Sequence, residues 1–228
     1  MKNLRLCISI LVGTLLGAAA ASVLAAAAGE VQQVSGTLSV QRPDGSVRVL
    51  SLKSEVNVGD VLTTQRESYA LIKMVDGTTM TLKPNSQLKI EAYLFVQEQP
   101  QQDNAFFRLA KGSVRTITGL VGKRGNEDAY RMGTATGTIG IRGSDGDTQV
   151  VGAGEKLDPG TYHYTRLCCF FIESGGVRRD IPQDQVGFSR NLSTPPIIFP
   201  KNPGMDLKEP PFTGLSGNQP GGGKECRA

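Results

Sequence analysis

His163 is the one histidine among 228 residues, and it sits in Tyr162-His163-Tyr164. A general base needs a nucleophile or a held water beside it. No neighbouring motif supplies either, and strand alternation turns His163 away from both tyrosines, so it reads as structural. Cys168 and Cys169 are adjacent. Neighbouring strand residues face opposite ways, so the two thiols do not chelate one ion, and a bond between them closes a strained ring. Two buried, apolar-behaving cysteines are the expected state, with a bond from Cys226 to one of them left open. Zinc would lack a full ligand set, because only His163 joins the thiols. Ser144-Asp145-Gly146-Asp147 places two carboxylates as a calcium loop does. It has no third acidic position at the required spacing, so a turn is expected. The glycines from Gly137 to Gly146 precede no helical pattern and make no phosphate cradle. The expectation is no catalytic residue, no cofactor and no metal: not an enzyme.

The elements around these residues are strands. Phe107 to Gly119 (FRLAKGSVRTITG) and Thr134 to Gly143 (TATGTIGIRG) interleave β-branched residues with glycines, a pattern suited to pleated, closely packed sheets. Turn chemistry recurs at Gly36, Pro43-Asp44-Gly45 and Gly59-Asp60. In Tyr69 to Ser86, a two-residue Asp76-Gly77 turn would mix polar and apolar residues on each face. A three-residue loop pairing Met74 with Met80 and Ile72 with Leu82 is preferred. Gly112 resets the alternation before Val114 and marks a bulge. Gln97 to Asn104 (QEQPQQDN) reads as an exposed loop. The fold class expected is all-β: a twisted, solenoid-like or sandwich-like domain of short strands without helix-period stripes.

The ends differ from this middle. Lys2 and Arg5 precede an apolar run from Leu6 that dissolves into small residues before Glu30, the layout of a secretory signal peptide. Val23-Leu24-Ala25 and Ala26-Ala27-Ala28 both fit a cleavage site, so the boundaries read 1–28 signal peptide, 29–192 β domain and 193–228 tail. The tail holds seven of the twelve prolines and ends near a triple glycine, a composition expected to give a flexible or partly docked tail. Removing Lys2 and Arg5 lowers the formal charge from +4 to +2. Neither value calls for nucleic acid.

Gly36, Gly59-Asp60, Asp76-Gly77, Leu82, Pro84-Asn85-Ser86, Phe107, Leu109, Lys111-Gly112, Val114-Arg115 and Ile139 to Gly143 together resemble the FecR-domain family. The likeness runs from about Val31 to Val150, with a weaker continuation at Gly160-Thr161-Tyr162 and Gln185 to Phe188. It implies an all-β domain in the periplasm or on the cell envelope that works in protein interaction and signalling. Asp76, Gly77, Arg115, Gly140, Arg142 and Gly143 fall on its motif positions and are expected to be structural, with Arg115 and Arg142 satisfying backbone carbonyls. Three positions depart from the pattern: Ala135 stands where proline is frequent, Gly137 where alanine is, and Gly146 where an apolar residue is. The signal sequence at residue 1 also replaces the cytoplasmic region of sigma-binding members, so direct sigma contact is not expected.

Arg108, Lys111, Arg115, Lys123, Arg124, Arg131 and Arg142 make a locally basic stretch. Lys123 and Arg124 are the candidates within it for contact with a partner. The expected function is an exported interaction, signalling or adaptor module whose partner is an envelope or surface protein. The alternative is a binding module for anionic envelope glycan or lipopolysaccharide. Membrane contact is expected only through the signal peptide before cleavage.

Overall fold

The computed structural model describes residues 27–126, 128–143 and 145–212. The expected signal peptide lies outside them except for its last two positions. Among the described residues, seventeen strands and one three-residue 3-10 turn at Pro100–Gln102 make up the regular structure. The first eight strands are β1 Gly29–Ser35, β2 Leu38–Gln41, β3 Val47–Leu50, β4 Glu55–Val56, β5 Val61–Thr64, β6 Tyr69–Met74, β7 Thr79–Leu82 and β8 Gln87–Leu94. The long β9, Asn104–Ile117, leads to β10 Tyr130–Gly133, β11 Thr138–Ile141, β12 Asp145–Val151 and β13 Gly160–Leu167. The chain closes with β14 Phe170–Ser174, β15 Val177–Ile181, β16 Val186–Ser189 and β17 Ile197–Phe199. The all-β expectation is met.

The strands form two sheets joined by β9. Sheet A runs β4, β1, β6, β7, the second half of β9, β12, β13, β16, β17. Sheet B runs β3, β2, β5, β8, the first half of β9, β10, β11, β14, β15. From β6 onward the chain lays down hairpins alternately on the two sheets. Every ladder is antiparallel except β9 with β10, which the long 118–129 connection permits. At Gly112 (φ +80) β9 leaves sheet B for sheet A, where the sequence marks a break in alternation.

One core fills the space between the sheets. Val31, Ile72, Met74, Met80, Leu82 and Val114 of sheet A meet Leu38, Leu62, Leu88, Ile90, Phe107, Tyr130, Ile139 and Ile172 of sheet B. Beyond β9 the inward face of sheet A becomes small and polar, with Thr148, Thr161, His163 and Thr165 all buried. Thr161 is satisfied there by the hydroxyls of Thr134 at 2.7 Å and Thr136 at 2.6 Å. Sheet A's apolar residues here point outward instead: Val151, Tyr162, Val186 and Phe188 form a second cluster.

That outward cluster explains the segment expected as a flexible or partly docked tail. Residues 193–212 are docked: β17 pairs with β16, and Met205 is buried against the cluster. An apolar sheet face needs a cover, and the chain supplies it from a stretch too proline-rich to fold alone.

The β6–β7 hairpin differs in register from expectation. Ile72 pairs with Met80 and Ala70 with Leu82, two residues along β7 from the expected pairs. The loop is Val75-Asp76-Gly77, closed by Met74 N–H to Thr78 O at 2.8 Å and Gly77 N–H to Met74 O at 3.0 Å. Gly77 takes φ +88, the left-handed position that a three-residue hairpin loop assigns to glycine. An even shift keeps every side chain on its face, which is why polarity alone did not detect it.

Asp76 turns this loop into a hub. Its Oδ1 accepts from Thr78 N–H (3.0 Å) and the Tyr93 hydroxyl (2.8 Å), and its Oδ2 from the Thr78 hydroxyl (2.8 Å) and Val121 N–H (3.0 Å). Burial, then the Asp76 carboxylate, pushes the Tyr93 phenol up, so it stays a donor. One side chain thereby ties sheet A to β8 and to the loop after β9. Asp76→Ala leaves several buried donors unmatched and should cost about 3 kcal/mol or more, whereas Tyr93→Phe removes the hydroxyl's bond to the carboxylate and the one it accepts from Asp76 N–H, and should cost about 1–2 kcal/mol. Urea unfolding measures both, and equal losses would refute the hub.

Candidate functional site

His163 projects inward from β13. Its Nδ1 lies 2.9 Å from the Thr148 hydroxyl, and its ring packs 4.1 Å from the Phe170 centroid. Burial lowers its pKa to about 3, with Asp147 opposing weakly, so the imidazole is neutral in the fold. Both His163 and Thr148 are buried, so the pair is shut off from solvent. Among the described residues no three His, Cys, Asp or Glu side chains gather as a metal site.

Asp145 and Asp147 are not in a turn. They occupy alternate positions of β12 and face outward across sheet A, where period-two spacing puts both among cations. Asp145 receives Arg115 through two bonds, Nε at 2.9 Å and Nη2 at 2.7 Å. Asp147 pairs with Lys83 at 2.9 Å and Arg166 at 2.5 Å. Glu209, from the docked tail, completes the group against Arg115 and Arg166, the latter at 3.0 Å. Arg115 thus differs from expectation: it binds carboxylates rather than backbone carbonyls, and its own pKa is raised by the Asp145 bond. Lys83, Arg166 and Glu209 carried no local signal, because strand pairing and tail docking bring them together.

The cysteines also differ from expectation. Cys168 and Cys169 are bonded to each other and half-buried in the connection from β13 to β14. Chain reversal between the sheets takes them out of the strand alternation that would separate their side chains. Cys226 lies outside the described residues.

Lys123 and Arg124 lie in the 118–129 loop. Arg124 bonds Asp103 (3.2 Å), Gln97 O (2.5 Å) and Val96 O (3.0 Å), and stacks 4.5 Å from the Phe95 centroid. Lys123 donates to Thr118 O at 2.7 Å, and burial lowers its pKa. Lys123 therefore braces its own loop, and Arg124 ties that loop to the connection between β8 and β9. Arg108 pairs with Glu91, and Arg131 with Asp128. Gly140 lies beneath Phe171 on the outer face of sheet B, where an added Cβ would stand 1.8 Å from the ring. Arg142 and Arg178 cover the other side of that ring, at 5.3 and 3.9 Å. Gly143 (φ +97) turns the chain after β11, against the Lys123 stem.

β3 is an apolar edge of sheet B. Among the described residues it has a ladder only with β2, and it exposes Val47 (67%) and Val49 (72%), with Leu52 just beyond. Natural edge strands are commonly blunted by charge or proline, and here Arg48 alone interrupts an apolar row.

The FecR protein family model matches residues 60–158. A search of curated proteins found no match. Among solved structures, a cell surface anchoring domain is similar at 30% identity, over 27% of this chain and 80% of that one, with a TM-score of 0.26. A candidate anti-sigma factor from Parabacteroides distasonis is similar at 8% identity, over 62% of this chain and 60% of that one, with a TM-score of 0.46. At those scores neither likeness bears on function.

His163 makes stability depend on pH with a definite sign. Its pKa is about 3 in the fold against 6.5 ordinarily. Between those values the unfolded chain takes a proton that the fold refuses, so stability falls as pH falls through that window. His163→Leu should flatten the acid limb by roughly 1 kcal/mol per pH unit. Urea midpoints of both proteins from pH 7 to pH 4 provide the comparison; parallel curves would show that the imidazole is not excluded from protonation.

Proposed function

We infer that this chain, whose residues 60–158 are a FecR domain, is an exported regulatory module that signals by binding another protein at the cell envelope. The family match carries the regulatory reading, and the apolar β3 edge supplies a means. An extended segment added to β3 gains main-chain hydrogen bonds for generic affinity, while Val47 and Val49 select apolar side chains on the partner. A signalling interaction needs no reaction centre, which suits a molecule whose histidine is buried and whose strand carboxylates Asp145 and Asp147 are ion-paired. The anionic-glycan alternative draws no support from the basic stretch, since Arg108, Arg115, Arg124 and Arg131 all face acidic partners within the chain.

Export rests on the N-terminal pattern of charge, apolar run and small residues. Ala28 bears on which cleavage site serves. It is buried, its N–H donates to Val56 O at 2.9 Å, and its carbonyl accepts from Val75 N–H at 3.0 Å. Cleavage after Ala25 keeps these bonds; cleavage after Ala28 discards them. No helix among the described residues is long and apolar enough to cross a membrane.

Two measurements test the reading. N-terminal sequencing of envelope-fraction protein should begin at or before Ala28, and an intact N-terminus in the cytoplasm would overturn export. A photo-crosslinker at Val47 in living cells should yield one discrete adduct, reduced at least tenfold by Val49→Lys, while the same label at Leu192 yields none. Adducts unaffected by Val49→Lys would remove the edge from the mechanism.

A further inference from the structure

Beyond β17 the chain turns back over the outer face of sheet A. The Asn202 side chain sets the turn by accepting from Gly204 N–H at 3.0 Å and Met205 N–H at 2.8 Å. Met205 then enters the cluster of Val151, Tyr162, Val186 and Phe188, with Leu207 packed beside it. From there the segment crosses toward β6, where Phe212 meets the edge of Tyr69 at 6.4 Å.

Between those apolar anchors the contacts are made by three sheet cations. Lys83 Nζ donates to Asp206 O at 2.7 Å, and Arg166 Nη2 to Leu207 O at 3.0 Å. Glu209 lies between Arg166 and Arg115. Two of the four polar contacts go to backbone carbonyls, which every peptide carries, and two converge on a single carboxylate. The crossing strap makes no ladder with the sheet, so the sheet's side chains and an apolar anchor at each end hold it.

The cations do not depend on the strap for their positions. Asp145 fixes Arg115 and Asp147 fixes Lys83 and Arg166, all within the sheet. Without the strap three cations face two carboxylates; Glu209 brings the third negative charge. A preorganised face with a surplus positive charge beside an aromatic and aliphatic floor favours an extended segment that is apolar at one end and acidic a few residues on.

We propose that the outer face of sheet A around Lys83, Arg115 and Arg166 is a docking groove for an extended acidic segment of a partner protein, which the chain's own residues 205–212 occupy at rest. The strap is an internal competitor. A tethered occupant acts at an effective concentration on the order of millimolar, so a strap of about micromolar intrinsic affinity weakens a competing partner by roughly a thousandfold until it leaves. This goes beyond the β3 edge and stands or falls without it.

The probe is a fluorescein-labelled synthetic peptide with the sequence of residues 203–212, titrated by anisotropy into the purified full chain. Leu207→Asp with Glu209→Lys alters only the strap and leaves the sheet cations in place. This double variant should bind the peptide at least tenfold more tightly than the unaltered chain. A peptide with its glutamate changed to lysine should lose that affinity. Hydrogen exchange at residues 206–212 reads strap release directly, and a chain ending at Pro203 is the second test of the empty groove. Equal peptide binding by released and unaltered chains, retained binding of the charge-reversed peptide, or full exchange protection of the strap in the double variant would each overturn the proposal.

Discussion

The molecule depends on β9 serving two sheets. Its first half closes sheet B between β8 and β10, and its second half closes sheet A between β7 and β12. Each half supplies core residues to the same interior, Phe107 and Leu109 on one side and Val114 on the other. Without that shared strand the sheets would each split in two at their centre, because no other strand bridges β7 to β12 or β8 to β10. The switch at Gly112 (φ +80) lets fourteen residues turn from one layer to the other without breaking hydrogen bonding for long. Asp76 reinforces the same region from the side, tying the β6–β7 loop to β8 and to the connection that follows β9.

Beyond β9 the polarity of sheet A changes sides. Its first half is conventional, apolar inward and mixed outward. In its second half threonines and His163 face the interior, where hydroxyl pairs satisfy one another, and aromatic residues face outward. Phe170 and Ile172 of sheet B then cover a polar surface, and the outward aromatics require a cover of their own. The C-terminal strap follows from that inversion. The interaction reading and the strap are connected by the same physics: an uncovered apolar or unpaired edge is where another chain gains by binding.

Much of the charge chemistry resolves into internal pairing. The basic stretch looks like a binding surface in one dimension, but Arg108, Arg115 and Arg124 meet acids that lie across the fold rather than along the chain. Arg124 is the clearest case, since Asp103 and the carbonyls of Val96 and Gln97 are more than twenty residues away. What stays available for a partner is less conspicuous in sequence: two valines on a short edge strand and three cations beneath a strap.

Residue by residue, the sequence alone determined the all-β class, the inward role of His163, the turn at Asp76-Gly77 and the irregularity at Gly112. These follow from local causes: side-chain alternation, glycine's access to positive φ and the hydrogen-bonding reach of a short carboxylate. It did not determine the hairpin register, since a shift of two residues preserves every face. Nor did it foresee that Asp145 and Asp147 would lie in a strand, that Cys168 and Cys169 would bond, or where residues 205–212 would dock. Those outcomes belong to tertiary structure, because the groups that decide them (Lys83, Arg115, Arg166 and the aromatic face) come from strands distant in sequence and meet only when both sheets have formed.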